Sequence, residues 1–164
     1  MAERQLLLLR HAKSSWDDPG LPDHDRPLSA RGRKAATLIG EHLRRQRIPV
    51  ALVLCSSARR ARDTVELVDP PGEIQVEREI YAASADQLLE RLRRLSSDVE
   101  VAMLVGHNPA IQELAIALAR ATDGIAGRKF PTGALATLSF PGSWQTLSRE
   151  QTELVAFVTP KQLA

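Results

Sequence analysis

His11 and His107 each stand directly behind a short apolar run, residues 5–9 and residues 99–105 respectively, with Arg10 and Gly106 intervening. Such runs read as strands buried on both faces, which places each histidine at a carboxyl-terminal strand end. In open α/β sheets ligands bind there. A third apolar run, residues 50–54, leads into Cys55-Ser56-Ser57-Ala58-Arg59-Arg60. Because Ala61, Thr64 and Val65 define a buried helical stripe, Arg60 falls in the first helical turn at the same sheet edge, while Arg59 and Arg62 can point elsewhere. Alone, Arg60 reads as part of a solvated helix start. Joined to Arg10, His11 and His107 it completes a set of two arginines and two histidines. Such a set suits a phosphoryl group, because each guanidinium fork binds two oxygens and a neutral imidazole can attack phosphorus. The other two histidines have plainer contexts: His42 falls within a helix, where a solvated or partly packed ring is the default, and His24 reads as a loop residue.

The elements that must position this set alternate between strand and helix. Ser29 caps a helix whose Ala36, Ile39 and Leu43 share one face, with Gly32 and Gly40 expected to let its backbone approach the sheet. Ala61, Thr64, Val65 and Val68 define a second helix, stopped by Pro70 and Pro71. Ser84 and Gln87 form a capping box ahead of Leu88, Leu89, Leu92 and Leu95. Asn108 is expected to cap a fourth helix, with Pro109 at its first position before Ile111, Leu114, Ala115 and Leu118. Strand then helix, repeated, predicts an α/β fold: a single three-layer domain over residues 1–164, with a mostly parallel central sheet and helices on both faces. Period-two alternation over residues 134–140, the Pro141-Gly142 turn and a strand-like stretch over residues 153–158 predict a mixed sheet edge. Residues 16–27 and 122–133 read as loops, the first a candidate lid or pocket wall.

Composition narrows the function classes. A chain of 164 residues with 43% apolar and 26% charged residues can bury a sizeable core. Only 4% is aromatic, which weighs against a protein that reads bases by stacking, and a formal net charge of +2 names no partner. No nucleic-acid partner is expected. Lys13, Lys34, Lys129 and Lys161 are the chain's only lysines, and its other side-chain cations are arginines. Genome base composition accounts for such a bias, and planar bidentate binding of phosphate or carboxylate is the sharper reading. A lone Cys55 permits no internal disulfide and no thiolate metal cage. Residues 6–9 are too short a run for a membrane span or signal segment. A cytoplasmic protein without a membrane partner is expected.

Four segments carry a family resemblance. Arg10-His11-Ala12-Lys13-Ser14-Ser15-Trp16-Asp17 resembles the Arg-His-Gly-Glu-Thr-x-Trp-Asn signature of the histidine phosphatase (phosphoglycerate mutase-like) superfamily. Leu28-Ser29-Ala30-Arg31-Gly32 is similar to its Leu-Thr-x-x-Gly helix start. Arg60-Ala61-Arg62-Asp63-Thr64 resembles Arg-Ala-x-Gln-Thr, and Val105-Gly106-His107-Asn108-Pro109 resembles the second histidine turn. Order and spacing hold over residues 5–118, and the compact length most resembles the SixA-type phosphohistidine phosphatases. The resemblance implies a phosphoglycerate mutase-like fold and a metal-independent phosphatase needing no cofactor. It implies that His11 is a transiently phosphorylated nucleophile and that Arg10, Arg60 and His107 hold the phosphoryl oxygens. Ser14 stands at the family's threonine and keeps a hydroxyl for phosphate.

Two departures bear on the substrate. Asp17 replaces an asparagine, and a carboxylate beside a phosphate is unfavourable unless it points away, is protonated or pairs with an arginine such as Arg26. The family's mutase branch carries a glutamate that protonates the leaving oxygen, and no residue here clearly matches it. Glu79 and Asp18 are the candidate general acids. Alkoxide departure needs such an acid, commonly worth about a hundredfold or more. The labile phosphorus–nitrogen bond of phosphohistidine needs less help. The expected substrate is therefore phosphohistidine in a protein, with a small phosphorylated molecule on the same scaffold, or a noncatalytic phosphate-binding module, as the alternatives.

Overall fold

Leu6, Leu7, Leu8 and Leu9 are all fully buried. Alternation along the strand sends Leu6 and Leu8 into one core and Leu7 and Leu9 into another, so the run fills both sides of a sheet. Each buried leucine contributes about 2 kcal/mol of transfer free energy. The structure is a computed structural model that describes residues 3–120 and 124–164. The leucine strand, β1 (Glu3–Arg10), lies inside a six-stranded sheet. It pairs in parallel with β4 (Val101–Gly106) and antiparallel with β5 (Leu135–Pro141). On the far side of β4 come β2 (Leu52–Ser56) and then β3 (Glu73–Glu77), both parallel. Beyond β5, β6 (Glu153–Val158) closes the other edge antiparallel. The order β3-β2-β4-β1-β5-β6 thus has the parallel body and mixed edge that the pattern predicts.

The helices α1 (Ala30–Arg45) and α2 (Arg59–Val68) cover the Leu7 and Leu9 face. On the opposite face lie α3 (Arg78–Tyr81), α4 (Ala85–Arg93) and α5 (Ala110–Leu118). A last turn, α6 (Pro160–Leu163), ends the chain. Ser29 Oγ accepts from Gly32 N at 3.0 Å, and the Ser84–Gln87 capping box closes with bonds of 2.9 and 3.2 Å.

Three local expectations change. Gly32 approaches Lys13 and Gly40 approaches Val68 of α2, so these glycines serve the segment after β1 and a helix–helix contact rather than the sheet itself. The fourth helix starts at Ala110, with Pro109 as its cap residue; Asn108 still contributes, its Oδ1 accepting from Gln112 N at 3.2 Å. The loop over residues 16–27 holds a 3-10 turn at Asp23–Asp25, and Ser15 N donates to Pro27 O at 2.8 Å to close its base. The second predicted loop holds a 3-10 turn at Ile125–Gly127, while its residues 122–123 lie outside the described residues. No helix among the described residues is long and apolar enough to cross a membrane.

Candidate active site

β4 lies between β1 and β2, and all three run the same way, so the turns that leave them open on one edge. Arg10 ends β1 opposite Gly106, the end of β4, so His11 and His107 leave neighbouring strands together. His11 N donates to Gly106 O at 3.0 Å, and the two imidazole centroids are 5.1 Å apart. Arg60 enters from the first turn of α2, behind β2. The four residues chosen for their strand-end positions are therefore gathered on one rim. Arg10 is aimed by its Nη1 donation to Phe130 O at 2.9 Å, a carbonyl that also accepts from Asn108 Nδ2 at 3.1 Å.

The local hydrogen bonds decide which nitrogen of His11 carries the lone pair. Its Nδ1 lies 2.7 Å from Ala12 O, which only accepts, so Nδ1 carries the hydrogen and the lone pair is on Nε2. That carbonyl is fixed in turn, because Ala12 N donates to Thr64 Oγ1 at 3.0 Å and Thr64 donates to Arg60 O at 2.7 Å. Burial, with the charges of Arg60, Arg10 and Arg26, pushes the His11 pKa down to about 4 despite the opposing pull of the Ala12 carbonyl. The ring is neutral at pH 7. Burial and the charges of His11 and Arg60 push His107 down to about 3. His107 Nε2 lies 2.7 Å from Ser56 Oγ, which accepts from Ala58 N at 3.2 Å, and His107 Nδ1 is buried without a hydrogen-bond partner. A buried polar atom in that state costs about 1–3 kcal/mol, which a bound polar group can recover. Cys55, whose thiol burial pushes up to about 12, offers no competing nucleophile.

A carboxylate missed in the sequence organises the rim. Asp23 Oδ1 accepts from Arg26 Nε and Nη2 at 3.2 and 2.9 Å. Its Oδ2 accepts from Arg60 Nη2 at 3.1 Å and from Tyr81 Oη at 2.7 Å, and its backbone oxygen accepts from Arg60 Nη1 at 2.9 Å. The Tyr81 hydroxyl, then the two guanidiniums, hold the Asp23 carboxyl far below the usual range. It is Asp23, not Asp17, that pairs with Arg26, because the 3-10 turn at Asp23–Asp25 puts its carboxylate three residues from that guanidinium; Asp17 is exposed. Ser14 Oγ accepts from Arg26 Nη1 at 2.7 Å, so its hydroxyl is engaged by that guanidinium. His24 is closer to the site than a loop reading implies: its Nε2 lies 2.8 Å from Ser57 Oγ, and its ring meets Tyr81 edge-on at 4.8 Å, as Tyr81 meets His107 at 5.6 Å.

Neither expected general acid joins the cluster. Asp18 is exposed and accepts from Gly20 N within its own turn. Glu79, exposed in the first turn of α3, lies on a separate cavity wall with Glu77, which Arg91 grips through Nε and Nη2 at 2.8 and 2.7 Å. Asp23, Tyr81 and Ser56 carry no periodic signal. The usable hint was the charge-dense Asp-His-Asp-Arg string and the fact that Tyr81 is the chain's single tyrosine.

A profile described as histidine phosphatase superfamily (branch 1) matches residues 6–81. An uncharacterized protein of Mycobacterium leprae is 37% identical over 93% of this chain and 100% of its own. The proposed phosphohistidine phosphatase SixA of Nakamurella multipartitia is 31% identical and superposes with a TM-score of 0.89 over 98% of each chain. The chain belongs to the histidine phosphatase superfamily. A second proposed SixA, from Agrobacterium tumefaciens, is 29% identical with a TM-score of 0.81 over 96% of this chain and 98% of that one. This histidine phosphatase is thus a hydrolase on a phosphoglycerate mutase-like fold, as the four sequence segments imply. Its profile match ends at Tyr81, so it includes Arg10, His11, Asp23 and Arg60 but stops short of His107.

Proposed function

We propose that the enzyme removes the phosphoryl group from phosphohistidine in proteins, through a phosphorylated His11. The lone pair on His11 Nε2 attacks phosphorus. The substrate's phosphorus–nitrogen bond breaks with its electron pair leaving on the substrate imidazole, which departs as a neutral ring because its other nitrogen carries a proton; water then attacks phospho-His11, releasing inorganic phosphate and restoring the neutral His11 ring. Arg10, Arg60 and the unpartnered Nδ1 of His107 supply positive or donor groups for the phosphoryl oxygens, the stabilisation on which phosphoryl transfer chiefly depends.

The observation that carries the substrate choice is the state of Asp23. Among the described residues it is the carboxyl hydrogen-bonded to the cluster, and Tyr81, Arg26 and Arg60 hold it ionised. An ionised carboxylate cannot protonate a departing alkoxide. A phosphorus–nitrogen bond has less need of that proton, and the substrate class named for the Nakamurella and Agrobacterium proteins points the same way.

The test compares wild type with His11→Ala on a phosphohistidine peptide, an aryl phosphate and small alkyl phosphate monoesters. Wild type is expected to favour the peptide over the alkyl esters, and His11→Ala to release no phosphate while retaining its circular dichroism. Retained turnover in the variant refutes the role of His11. A strong preference for alkyl esters overturns the substrate.

A further inference from the structure

Three of the chain's four lysines meet at one place. Lys13, Lys129 and Lys161, with Arg31, line a cavity of about 420 Å³ between the start of α1, residues 129–132 and α6. Among the described residues no Asp or Glu lines it, and none of the four cations makes an ion pair. The first turn of α1, which supplies Arg31, holds no acidic residue to offset the positive end of that helix. Cations spread over a surface carry no message. Four unpaired ones around a single concavity focus a positive potential there. The contrast with the cavity beside α3 and α4 is direct, since Glu77, Glu79, Asp86 and Glu90 line that one with Arg91 and Arg94.

The basic cavity is built from the segments that aim the phosphoryl-binding side chains. Lys13 lies two residues beyond His11, and its carbonyl oxygen accepts from Ser29 N at 2.9 Å at the start of α1. Residues 129–132 flank Phe130 O, the acceptor of Arg10 Nη1, and Gly133 N donates to Arg10 O and His11 O at 3.0 Å. The cavity therefore adjoins, through these backbone links, the strand end that carries His11. The volume falls in the range of small-ligand sites.

We infer that this cavity is a second anion subsite, which takes the carboxylates of acidic residues flanking the phosphorylated residue of a polypeptide substrate. The inference extends the proposed protein substrate, but its test needs no phosphohistidine. A glutamate-rich, unphosphorylated peptide is expected to inhibit aryl phosphate hydrolysis competitively, and added salt to weaken that inhibition. In a Lys129→Ser/Lys161→Ser double variant the inhibition constant should rise about fivefold, the product of two modest exposed charge pairs, while aryl phosphate turnover without peptide changes less than about twofold. The Lys129→Arg/Lys161→Arg variant should restore inhibition, which a merely structural role for the lysines does not predict. Equal inhibition of wild type and the Ser variant, or equal inhibition by a glutamine-rich peptide, overturns the subsite. Should phosphohistidine peptides prove poor substrates, the subsite stands or falls on the inhibition alone. Should they turn over well yet ignore the Ser substitutions, only the subsite falls.

Discussion

At the scale of the residue, the site is governed by where hydrogens and charges are held. Ala12 O fixes the His11 tautomer, and Arg60, Arg10 and Arg26 reinforce burial in keeping the ring neutral. Asp23 works against that positive field, engaging both Arg26 and Arg60 in the absence of any other anion. A phosphoryl group that reaches Arg60 has to share or displace this carboxylate. Asp23→Asn, which keeps the size of the side chain and removes its charge, should therefore bind phosphate and vanadate about fivefold more tightly, read as lower inhibition constants against an aryl phosphate. Unchanged or weaker inhibition would show that Asp23 orients Arg60 rather than competing for it.

At the scale of the element, two glycines of one helix separate stability from activity. A Cβ at Gly40 would lie 2.5 Å from Val68 O, so Gly40→Ala forces α1 away from α2. At Gly32 it would lie 2.0 Å from Lys13 O, within the stretch that leaves His11. Both variants gain about 1 kcal/mol in helix propensity but lose about 1–3 kcal/mol to overpacking, so both should melt at lower temperature than wild type. Only Gly32→Ala should also lose kcat on an aryl phosphate when assayed well below its melting point. Equal kcat in the two variants would separate the α1–Lys13 contact from the chemistry. The same elements explain what the sequence made legible. Arg10, His11, Arg60 and His107 were readable because each is indexed to the end of a periodic element. Asp23 and Tyr81 meet only after a loop and a four-residue helix are placed in space, which no period encodes. β3 was missed for a related reason: at the sheet edge Ile74 and Val76 are 47% and 51% exposed, so its apolar residues point outward and its pattern does not mark a core strand.

At the scale of the whole molecule, the neutral histidines tie stability to pH. In the unfolded chain each takes up a proton near pH 6.5, whereas in the fold His11 does so only near 4 and His107 near 3. Between those limits the unfolded state binds more protons, so stability falls as pH drops from 6.5. Asp23, depressed in the fold, adds a loss of the same sign at still lower pH. At pH 5 one such histidine has cost roughly 2 kcal/mol relative to pH 7. Urea melts at the two pH values should show the drop, and His11→Gln should show a smaller one; an identical drop in that variant would assign the acid sensitivity elsewhere.

The placement of β1 has a consequence for how such an enzyme can diversify. The strand is bonded along both edges and stacks leucines into both cores, so altering its end means disturbing the parallel body, the antiparallel edge and both helical layers together. The histidine it delivers is thus anchored by both sheet edges and both cores. The segment around Asp23 and the lysine-bearing segment before Gly133 lie outside the sheet and are held through side-chain hydrogen bonds rather than strand pairing, and they border the same rim. Descendants of this chassis can therefore acquire new specificities by rewriting those two borders while inheriting the end of β1 that carries His11 untouched.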